Sequence, residues 1–427
     1  MSIQLTEKQN NAYISMKNGN NVFLTGPAGC GKSFLLKYFI EYYKNENEKK
    51  NGEIYITSTT GLSSLLIDGM TINRFSGIGT GEKDIETIIK KILKMKSIRN
   101  RWMNTSVLII DEVSMLNHEI FDKLEIIARK IRKIEEPFGG IQIILSGDFL
   151  QLPPVKCDSF CFEAFSWDFV IQETFYFNEI IRQSDNKLQE ILNYVRNGII
   201  NDDVKLYLNQ CLNKELVTHN DIEPTLLFSK KNMVTSHNIK ELNKLIQKDY
   251  KHYNYQSKYD YGKINDENKI FFKEMLDSQY QIEDIITICI NSQVMLTVNI
   301  PDYNLANGSI GIVIDFVLDE KNHYPLVKFL NGTILAIKEH EYIIDEGGNI
   351  VKKMQIPLIL SWAITIHKAQ GMSLDYVKTD IGNSIFEYGQ AYVVLSRIKN
   401  IEGLSLININ YNTIKAHPKV LDYYSRL

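Results

Sequence analysis

The sequence has no long apolar run. No stretch of its 427 residues approaches the ~20 consecutive apolar residues that a helix needs to cross a bilayer, so we expect neither a membrane span nor a membrane partner. Residues 1–9 lack a basic segment followed by an apolar one, and a secretory signal is therefore not expected. An internal repeat and a low-complexity tail are absent as well. The class that remains is the ordinary soluble globular protein.

Cysteine is scarce, and its spacing fits no framework. The chain has five cysteines, Cys30, Cys157, Cys161, Cys211 and Cys289. An odd, scattered set in a long chain is typical of reduced thiols rather than disulfides. The one close pair has no second pair of ligands to complete a zinc site. We therefore expect an intracellular, reducing compartment: the cytoplasm of a bacterium or of a virus-infected cell, or a nucleus.

Neither sign of charge dominates the sequence. The formal net charge is −3, which argues neither for nor against a nucleic-acid partner, because binding depends on local charge. The hydrophobic fraction of 44% is enough for several cores, and the length predicts about three domains.

A glycine-rich turn joins an apolar run to a periodic one in the stretch NVFLTGPAGCGKSFLLKYF, residues 21–39. Its pattern is G-x-x-x-x-G-K-S, formed by Gly26, Gly31, Lys32 and Ser33. The glycines let backbone N–H groups curl around phosphate oxygens at a helix N-terminus. The lysine can reach the β- and γ-phosphates, and the serine hydroxyl can bind Mg²⁺. The stretch predicts a nucleoside triphosphate site.

Two further apolar runs end in polar groups suited to the same site. The run VLIIDEVSM, 107–115, ends in Asp111 and Glu112, which can hold Mg²⁺ and orient the attacking water. The run IQIILSGD, 141–148, is followed by Gln151, where a γ-phosphate sensor could stand. The guanine-reading pattern N-K-x-D is missing, so we favour ATP over GTP. An amide such as Gln9 could read adenine.

Six stretches resemble motifs I to VI of the PIF-type DNA helicases of superfamily 1, which are relatives of RecD. In chain order these stretches are GPAGCGKS (26–33), IIDEVSM (109–115), GDFLQLPPV (147–155), IIRQSD (180–185), LSWAITIHKAQGMSLD (360–375) and AYVVLSRIKN (391–400). The resemblance implies an α/β protein of two RecA-like domains with parallel sheets and the nucleotide between them. ATP and Mg²⁺ are the cofactors it implies.

The resemblance also assigns roles to single residues. Gln9 matches the adenine-reading glutamine, and Ser33 and Asp111 match the magnesium ligands. Glu112 matches the water-activating acid, and Gln151 matches the γ-phosphate sensor. The remaining nucleotide contacts are the phosphate-loop residues Gly26, Gly29, Cys30, Gly31 and Lys32, the arginine fingers Arg182 and Arg397, and Gly371.

DNA contacts follow from the same resemblance. Candidates are Thr60, Asn73 and Phe75 near motif Ia, and Thr365, His367 and Lys368 in motif V. Asn73, in MTINRF, stands where the family usually has histidine. For Phe75 a core position is the alternative, because aromatic bulk suits either role. The expected partners are single-stranded DNA, single/double-strand junctions and G-quadruplex DNA, and we expect the protein to be monomeric in solution.

The expected domain organisation follows the motifs. We expect a first RecA-like domain over 1–180, with a small basic wedge insertion at about 80–102. The second RecA-like domain comprises 181–290 and 356–427, and an SH3-like β-module is inserted at 291–355. The stretch 246–283 has weak periodicity and is predicted to be an insertion or a mobile loop.

The resemblance to the PIF-type helicases implies an ATP-dependent 5′-to-3′ DNA helicase that unwinds duplex or structured DNA, including forks, G-quadruplexes and RNA–DNA hybrids, in repair, recombination or replication. Two alternatives stay open: a single-strand translocase or remodelling ATPase without strong unwinding, and a RecD-like motor of a larger complex.

Overall fold

The computed structural model describes residues 5–47, 52–155, 157–181, 185–216, 222–280, 282–319, 322–346 and 349–427. The chain divides into two compact units. The first unit comprises Met1–Ile199, Glu387–Tyr392 and Lys415–Leu427, and the second comprises Ile200–Phe386 and Val393–Ile414.

The strands are numbered β1 to β20 in chain order. They are Val22–Thr25, Glu53–Ser58, Met70–Thr71, Thr105–Asp111, Gln142–Gly147, Glu173–Tyr176, Thr225–Phe228, His252–Gln256, Lys258–Asp260, Ile285–Cys289, Gln293–Leu296, Ile310–Asp319, Asn322–Phe329, Ile334–Ala336, His340–Glu346, Asn349–Gln355, Leu358–Leu360, Ala363–Thr365, Val377–Ile381 and Leu404–Ile409.

The α-helices are numbered α1 to α15 in the same way. They are Glu7–Lys17, Lys32–Asn47, Gly61–Leu66, Ile72–Ser76, Ile85–Lys94, Lys96–Asn104, His118–Arg132, Trp167–Val170, Asn186–Arg196, Asp202–Asn209, Lys231–Gln247, Asp266–Tyr280, Ile366–Ala369, Gln390–Leu395 and Pro418–Tyr424. Within the described ranges, no helix combines the length and apolar character required to traverse a bilayer.

A parallel sheet forms the centre of the first unit. Among its described residues the strand order is β3-β2-β4-β5-β1-β6, and every neighbouring pair is parallel. The central strands are short apolar runs buried along their length, as expected for strands covered on both faces. Because the strands are parallel, their carboxyl ends share one edge, where Thr25 pairs with Gly147 and Tyr176. This edge carries the candidate site.

The basic stretch at 80–102 is a pair of amphipathic helices, α5 and α6, within the first unit. Ile88, Ile92 and Trp102 are buried in the core of that unit, whereas Leu93 is 44% exposed. The lysines of α5 lie on its outer faces. A wedge role for this pair stays a prediction.

The second unit is built on another parallel sheet, with strand order β18-β7-β19-β20. The described residues between its strands form an antiparallel sheet of order β14-β13-β12-β11-β17 and the smaller pairings β15-β16-β9 and β10-β8. The α/β class with two parallel sheets is thus confirmed. The identity of the antiparallel part as an SH3-like module stays a prediction.

Of the two alternatives for 246–283, the mobile loop was wrong, and the insertion stays a prediction. The segment contains β8, β9 and α12, and Phe272 and Leu276 of that helix are buried. The fold of the segment is stabilised by contacts distant in sequence. Lys353, which is 1% exposed, donates to Asp277 Oδ1 at 2.8 Å and to Asp284 Oδ1 at 2.9 Å. A periodicity search within the segment cannot detect such long-range pairs.

The chain's last helix belongs to the first unit, whereas the sequence analysis assigned 356–427 to the second domain. Tyr423 of α15 stacks on Phe162 with ring centroids 4.2 Å apart, and Val420 is fully buried. Aromatic stacking of this kind contributes about 0.5–1.5 kcal/mol beyond the area buried. The helix therefore packs on a core whose other members lie more than 200 residues earlier in the chain.

Candidate nucleotide site and candidate DNA-binding residues

The phosphate loop lies between β1 and α2, as predicted. Gly26 has φ +142°, and a Cβ there would lie 2.1 Å from the carbonyl oxygen of Phe177, so only glycine fits. Gly29 and Gly31 also have positive φ, of 83° and 87°. Left-handed backbone at these glycines turns successive N–H groups toward one point, which makes a cradle for anions. The helix N-terminus at Lys32 adds to it.

Lys32 and neighbouring backbone groups complete this loop. The Lys32 ammonium donates to the carbonyl oxygens of Gly26 at 2.7 Å and Pro27 at 2.9 Å. Tyr392, which lies outside the loop, accepts a hydrogen bond from the Ala28 amide through its hydroxyl, at 2.9 Å. Tyr392 was not singled out from the sequence, where a tyrosine in an apolar run gives no signal for a phosphate-loop contact.

Gln9 lies against the phosphate loop and is 2% exposed. Its Nε2 donates to the Cys30 carbonyl at 3.3 Å, and its Oε1 accepts from the Thr6 amide at 3.1 Å, forming a capping box at the start of α1. The structure thus places Gln9 against the phosphate loop, with both ends of its amide bonded to backbone. Adenine reading by Gln9 stays a prediction.

The two carboxylates of motif II lie at the carboxyl end of β4. Asp111 ends that strand and is buried, and its Oδ1 accepts the Glu112 amide at 3.0 Å. Burial raises the pKa of the Asp111 carboxyl, while the Glu112 amide and the nearby Lys32 charge act to lower it. Glu112 adopts a left-handed backbone with φ +53°, a strained conformation typical of functional sites. Thr59 Oγ1 donates to the Glu112 carbonyl at 2.9 Å and helps to hold it.

Gln151 lies in the loop after β5 and is 5% exposed. Its Nε2 is 3.4 Å from Oδ2 of Asp148, which is itself paired with Arg196. Sequence reasoning missed both charged residues. The aspartate had a weak signal, since it directly follows a buried strand, whereas a lone arginine on a helix is usually solvated and gives none.

The two predicted arginine fingers have different outcomes. Arg182 lies outside the described residues. Arg397, in the second unit, is 1% exposed; Nε donates to the Val393 carbonyl at 2.8 Å and Nη2 to Ser396 Oγ at 2.6 Å. A finger role would require the guanidinium to exchange these acceptors for a phosphate, and it stays a prediction. Gly371 occupies a turn after α13 with φ +79°.

Motif V contains strand β18 and helix α13 of the second unit. Thr365 caps α13 by accepting the Lys368 amide at 3.2 Å, and His367 is half-buried beside it. Burial lowers the pKa of the Lys368 ammonium, and the neighbouring positive charge of Lys231 lowers it further. Lys231 begins α11, whose exposed face borders an open groove. Its described lining includes Lys231, Asn232, Thr235, Ser236, Lys240 and Lys244. Clustered cations of this kind can bind a phosphate backbone.

The motif Ia residues of the first unit separate into two groups. Thr60 caps α3 by accepting the Ser63 amide at 3.2 Å, and Asn73 is exposed on α4. Phe75 is fully buried, with its ring centroid 5.1 Å from that of Tyr55 and 4.9 Å from that of Trp102. Phe75 is therefore a core residue, and the expectation that its ring stacks on a DNA base is corrected.

Phe75→Ala is expected to lower the free energy of unfolding by about 3–5 kcal/mol, since it opens a cavity in a close-packed core. Urea denaturation measures this loss. The matched control is Phe165→Ala, because Phe165 is 92% exposed in the same unit and its loss should cost less than about 0.5 kcal/mol. Phe75→Leu keeps apolar bulk and should bind single-stranded DNA normally; a loss of binding by this folded variant would restore the stacking role.

Comparisons with known proteins agree on one family. The profile of the family described as PIF1-like helicase matches residues 4–206. The ATP-dependent DNA helicase PIF1 of Xenopus laevis is 37% identical over 431 residues, an alignment that covers 100% of this chain and 65% of that protein. The chain thus spans slightly less than two thirds of the length of this relative.

Solved structures support the same assignment. The crystal structure of Pif1 helicase from Candida albicans has a TM-score of 0.83 and 35% identity, with 99% of both chains covered. Bacteroides Pif1 bound to single-stranded DNA has a TM-score of 0.67 and 25% identity, with 100% of this chain and 97% of that chain covered. With the motifs in order and these matches along its whole length, this chain belongs to the PIF1-like helicase family.

Proposed function

We propose that this protein is an ATP-dependent DNA helicase that moves 5′ to 3′ on single-stranded DNA and separates duplexes at junctions. The observation that carries the proposal is the edge of the first sheet, where a phosphate loop, a buried aspartate and a strained glutamate follow β1 and β4. Family membership supports the same activity. The Xenopus laevis relative is an ATP-dependent DNA helicase by name, and the Candida albicans structure is that of a Pif1 helicase.

Mg²⁺ fits the donors at this edge. The ion prefers hard oxygen ligands, and the Ser33 hydroxyl, which is exposed, and the Asp111 carboxylate are of that kind. Ser33 follows the loop after β1 and Asp111 ends β4, two strands of one parallel sheet whose ends share an edge. Ser33 and Asp111 would hold Mg²⁺. When bound, the ion would neutralise part of the negative charge of the phosphates.

The remaining chemistry belongs to this chain's own side chains. Lys32 binds the β- and γ-phosphates as a point charge, in exchange for the loop carbonyls it contacts. Glu112 orients the attacking water and accepts its proton. Gln151 senses the γ-phosphate, and Arg182 and Arg397 stabilise the charge that develops on the transferred group. Binding and release of the γ-phosphate would then drive movement along the strand.

Single-stranded DNA is the partner that the second unit's cations support. Lys368 and Lys231 are close enough for their charges to interact, and Lys240 and Lys244 continue the positive face along α11. Thr365 and His367 add polar groups. In the first unit, Thr60 and the exposed Asn73 offer hydrogen-bonding groups. Cations and polar groups of this kind, within each unit, suit binding of a nucleic-acid backbone without reading sequence.

The test is an unwinding assay on 5′-tailed, 3′-tailed and blunt duplexes, with ATP and Mg²⁺. We expect ATP hydrolysis stimulated by single-stranded DNA and strand displacement from the 5′-tailed substrate alone. Displacement from the 3′-tailed substrate would overturn the direction. Stimulated hydrolysis without displacement would favour a translocase, and hydrolysis indifferent to DNA would overturn the helicase assignment. Comparing the unwinding rate of a 5′-tailed G-quadruplex with that of the 5′-tailed duplex measures the preference for structured DNA.

A further inference from the structure

A buried ion pair lies beneath the loop that carries Gln151. Arg196, the last residue of α9, is 2% exposed, and Asp148 is fully buried. The contact is bidentate: Nε of Arg196 is 3.0 Å from Oδ2 of Asp148, and Nη2 is 2.7 Å from Oδ1. Removing two charges from water costs about as much as their attraction returns. Stability alone therefore does not explain why this ion pair is buried here.

The pair keeps the carboxylate ionised. Burial acts to raise the pKa of Asp148, but the charges of Arg196 and Lys32 hold it below its ordinary value. In turn, Arg196 has its guanidinium over the rings of Tyr424, at 5.1 Å, and Tyr176, at 5.8 Å. Asp148 is consequently a fixed acceptor close to the nucleotide site.

This acceptor determines which way the Gln151 amide points. Asp148 accepts the Leu150 amide at 3.2 Å and the Gln151 Nε2 at 3.4 Å. An ionised carboxylate only accepts hydrogen bonds, so the NH₂ group of Gln151, and not its carbonyl, must face it. The second N–H of that group remains for a phosphate oxygen, and Oε1 remains to accept from a water.

Tyr424 connects this network to the phosphate loop. Its hydroxyl accepts the Phe149 amide at 3.1 Å and lies 3.3 Å from Oδ1 of Asp148. It is also 2.5 Å from Oγ1 of Thr25, the last residue of β1 before Gly26. One hydroxyl thus joins the end of the phosphate-loop strand to the start of the Gln151 loop.

We propose that Arg196 is a positioning residue for ATP hydrolysis, which acts through Asp148 to hold the Gln151 amide in its productive orientation, with Tyr424 aligning that loop on the phosphate loop. The proposal rests on the ATPase activity proposed above. In this proposal Arg196 contributes to hydrolysis without contacting the nucleotide.

A double-mutant cycle tests the proposal. Arg196→Lys keeps a cation but loses the bidentate geometry, so kcat for DNA-stimulated ATP hydrolysis should fall about 10–100-fold, with KM for ATP within about twofold. In a Gln151→Ala background the same change should reduce kcat no further, because the side chain that it positions is gone. Tyr424→Phe keeps the ring and should show a smaller loss with the same dependence on Gln151.

Arg129→Lys is the matched control. Arg129 makes an equivalent bidentate contact to the buried Glu125, at 2.6 and 2.9 Å, on α7 of the same unit. This change should leave kcat unchanged, whatever it does to the thermal midpoint.

Normal kcat in folded Arg196→Lys, or an equal loss with and without Gln151, would overturn the positioning role. If Arg196→Lys fails to fold, Tyr424→Phe is judged by the same two criteria. An unmodified protein that hydrolyses no ATP would instead overturn the proposed function itself, and the positioning role with it.

Discussion

Lys32→Ala is expected to reduce ATP hydrolysis by at least about 10²–10³-fold, the loss typical of removing one preorganised group that stabilises transition-state charge. In the structure the Lys32 ammonium is bonded to two loop carbonyls, at 2.7 and 2.9 Å, and sits at the first residue of α2. A triphosphate offers this ammonium charged acceptors, which form stronger hydrogen bonds than the loop carbonyls do. The alanine variant has no ammonium to make these bonds. Steady-state phosphate release, with and without single-stranded DNA, measures the effect.

Lys37→Ala is the control for this experiment. Lys37 is exposed on the same helix, so its substitution removes the same chemical group at a position away from the loop. It should hydrolyse ATP at the normal rate. Both variants should retain the normal circular dichroism spectrum and unfolding midpoint. Turnover by folded Lys32→Ala within tenfold of normal would contradict the phosphate-loop assignment.

Glu112→Gln is expected to bind ATP normally and to hydrolyse it about 10²–10⁴-fold more slowly, the usual range for loss of a general base. The amide keeps the size of the carboxylate and should keep the left-handed backbone that the Thr59 contact supports. It cannot accept the proton of the attacking water at neutral pH. Binding of a fluorescent ATP analogue and single-turnover hydrolysis separate the two effects.

Glu119→Gln, on the exposed face of α7, makes the identical change outside the site and should leave both measurements normal. If Glu112→Gln hydrolyses ATP at the normal rate, the base is another residue. If it loses nucleotide binding as well, Glu112 has a structural role at the loop instead.

The phosphate loop and the acids of β4 could be predicted from the sequence because their positions depend on residues that are adjacent in the chain. A strand, a glycine turn and a helix within 26 residues define the phosphate loop, and the structure has them at β1, Gly26 and α2. The acids after a buried strand were predicted for the same reason, since the end of β4 alone places Asp111 at the sheet edge. The strand predicted at 141–148 is β5.

Two inferences that depended on distant partners failed: a DNA contact for Phe75 and a mobile loop at 246–283. Phe75 could equally be a core or a surface aromatic until Tyr55 and Trp102 were seen to enclose it. The segment 246–283 has only weak periodicity of its own, and its helix is contacted through Asp277 by Lys353, which lies far along the chain. In neither case does the surrounding sequence contain the deciding contact.

The sequence by itself determined the α/β class, the nucleotide chemistry and the family, since each is carried by short motifs whose backbone geometry follows from residue type. Only the tertiary structure decided that Arg196 and Tyr424 lie beside Asp148, from positions 48 and 276 residues further along the chain. A buried charge is tolerated only where a partner meets it, and folding alone brings such partners together. Arg196 and Tyr424, which we propose to position Gln151, could therefore not be identified from the sequence around Gln151.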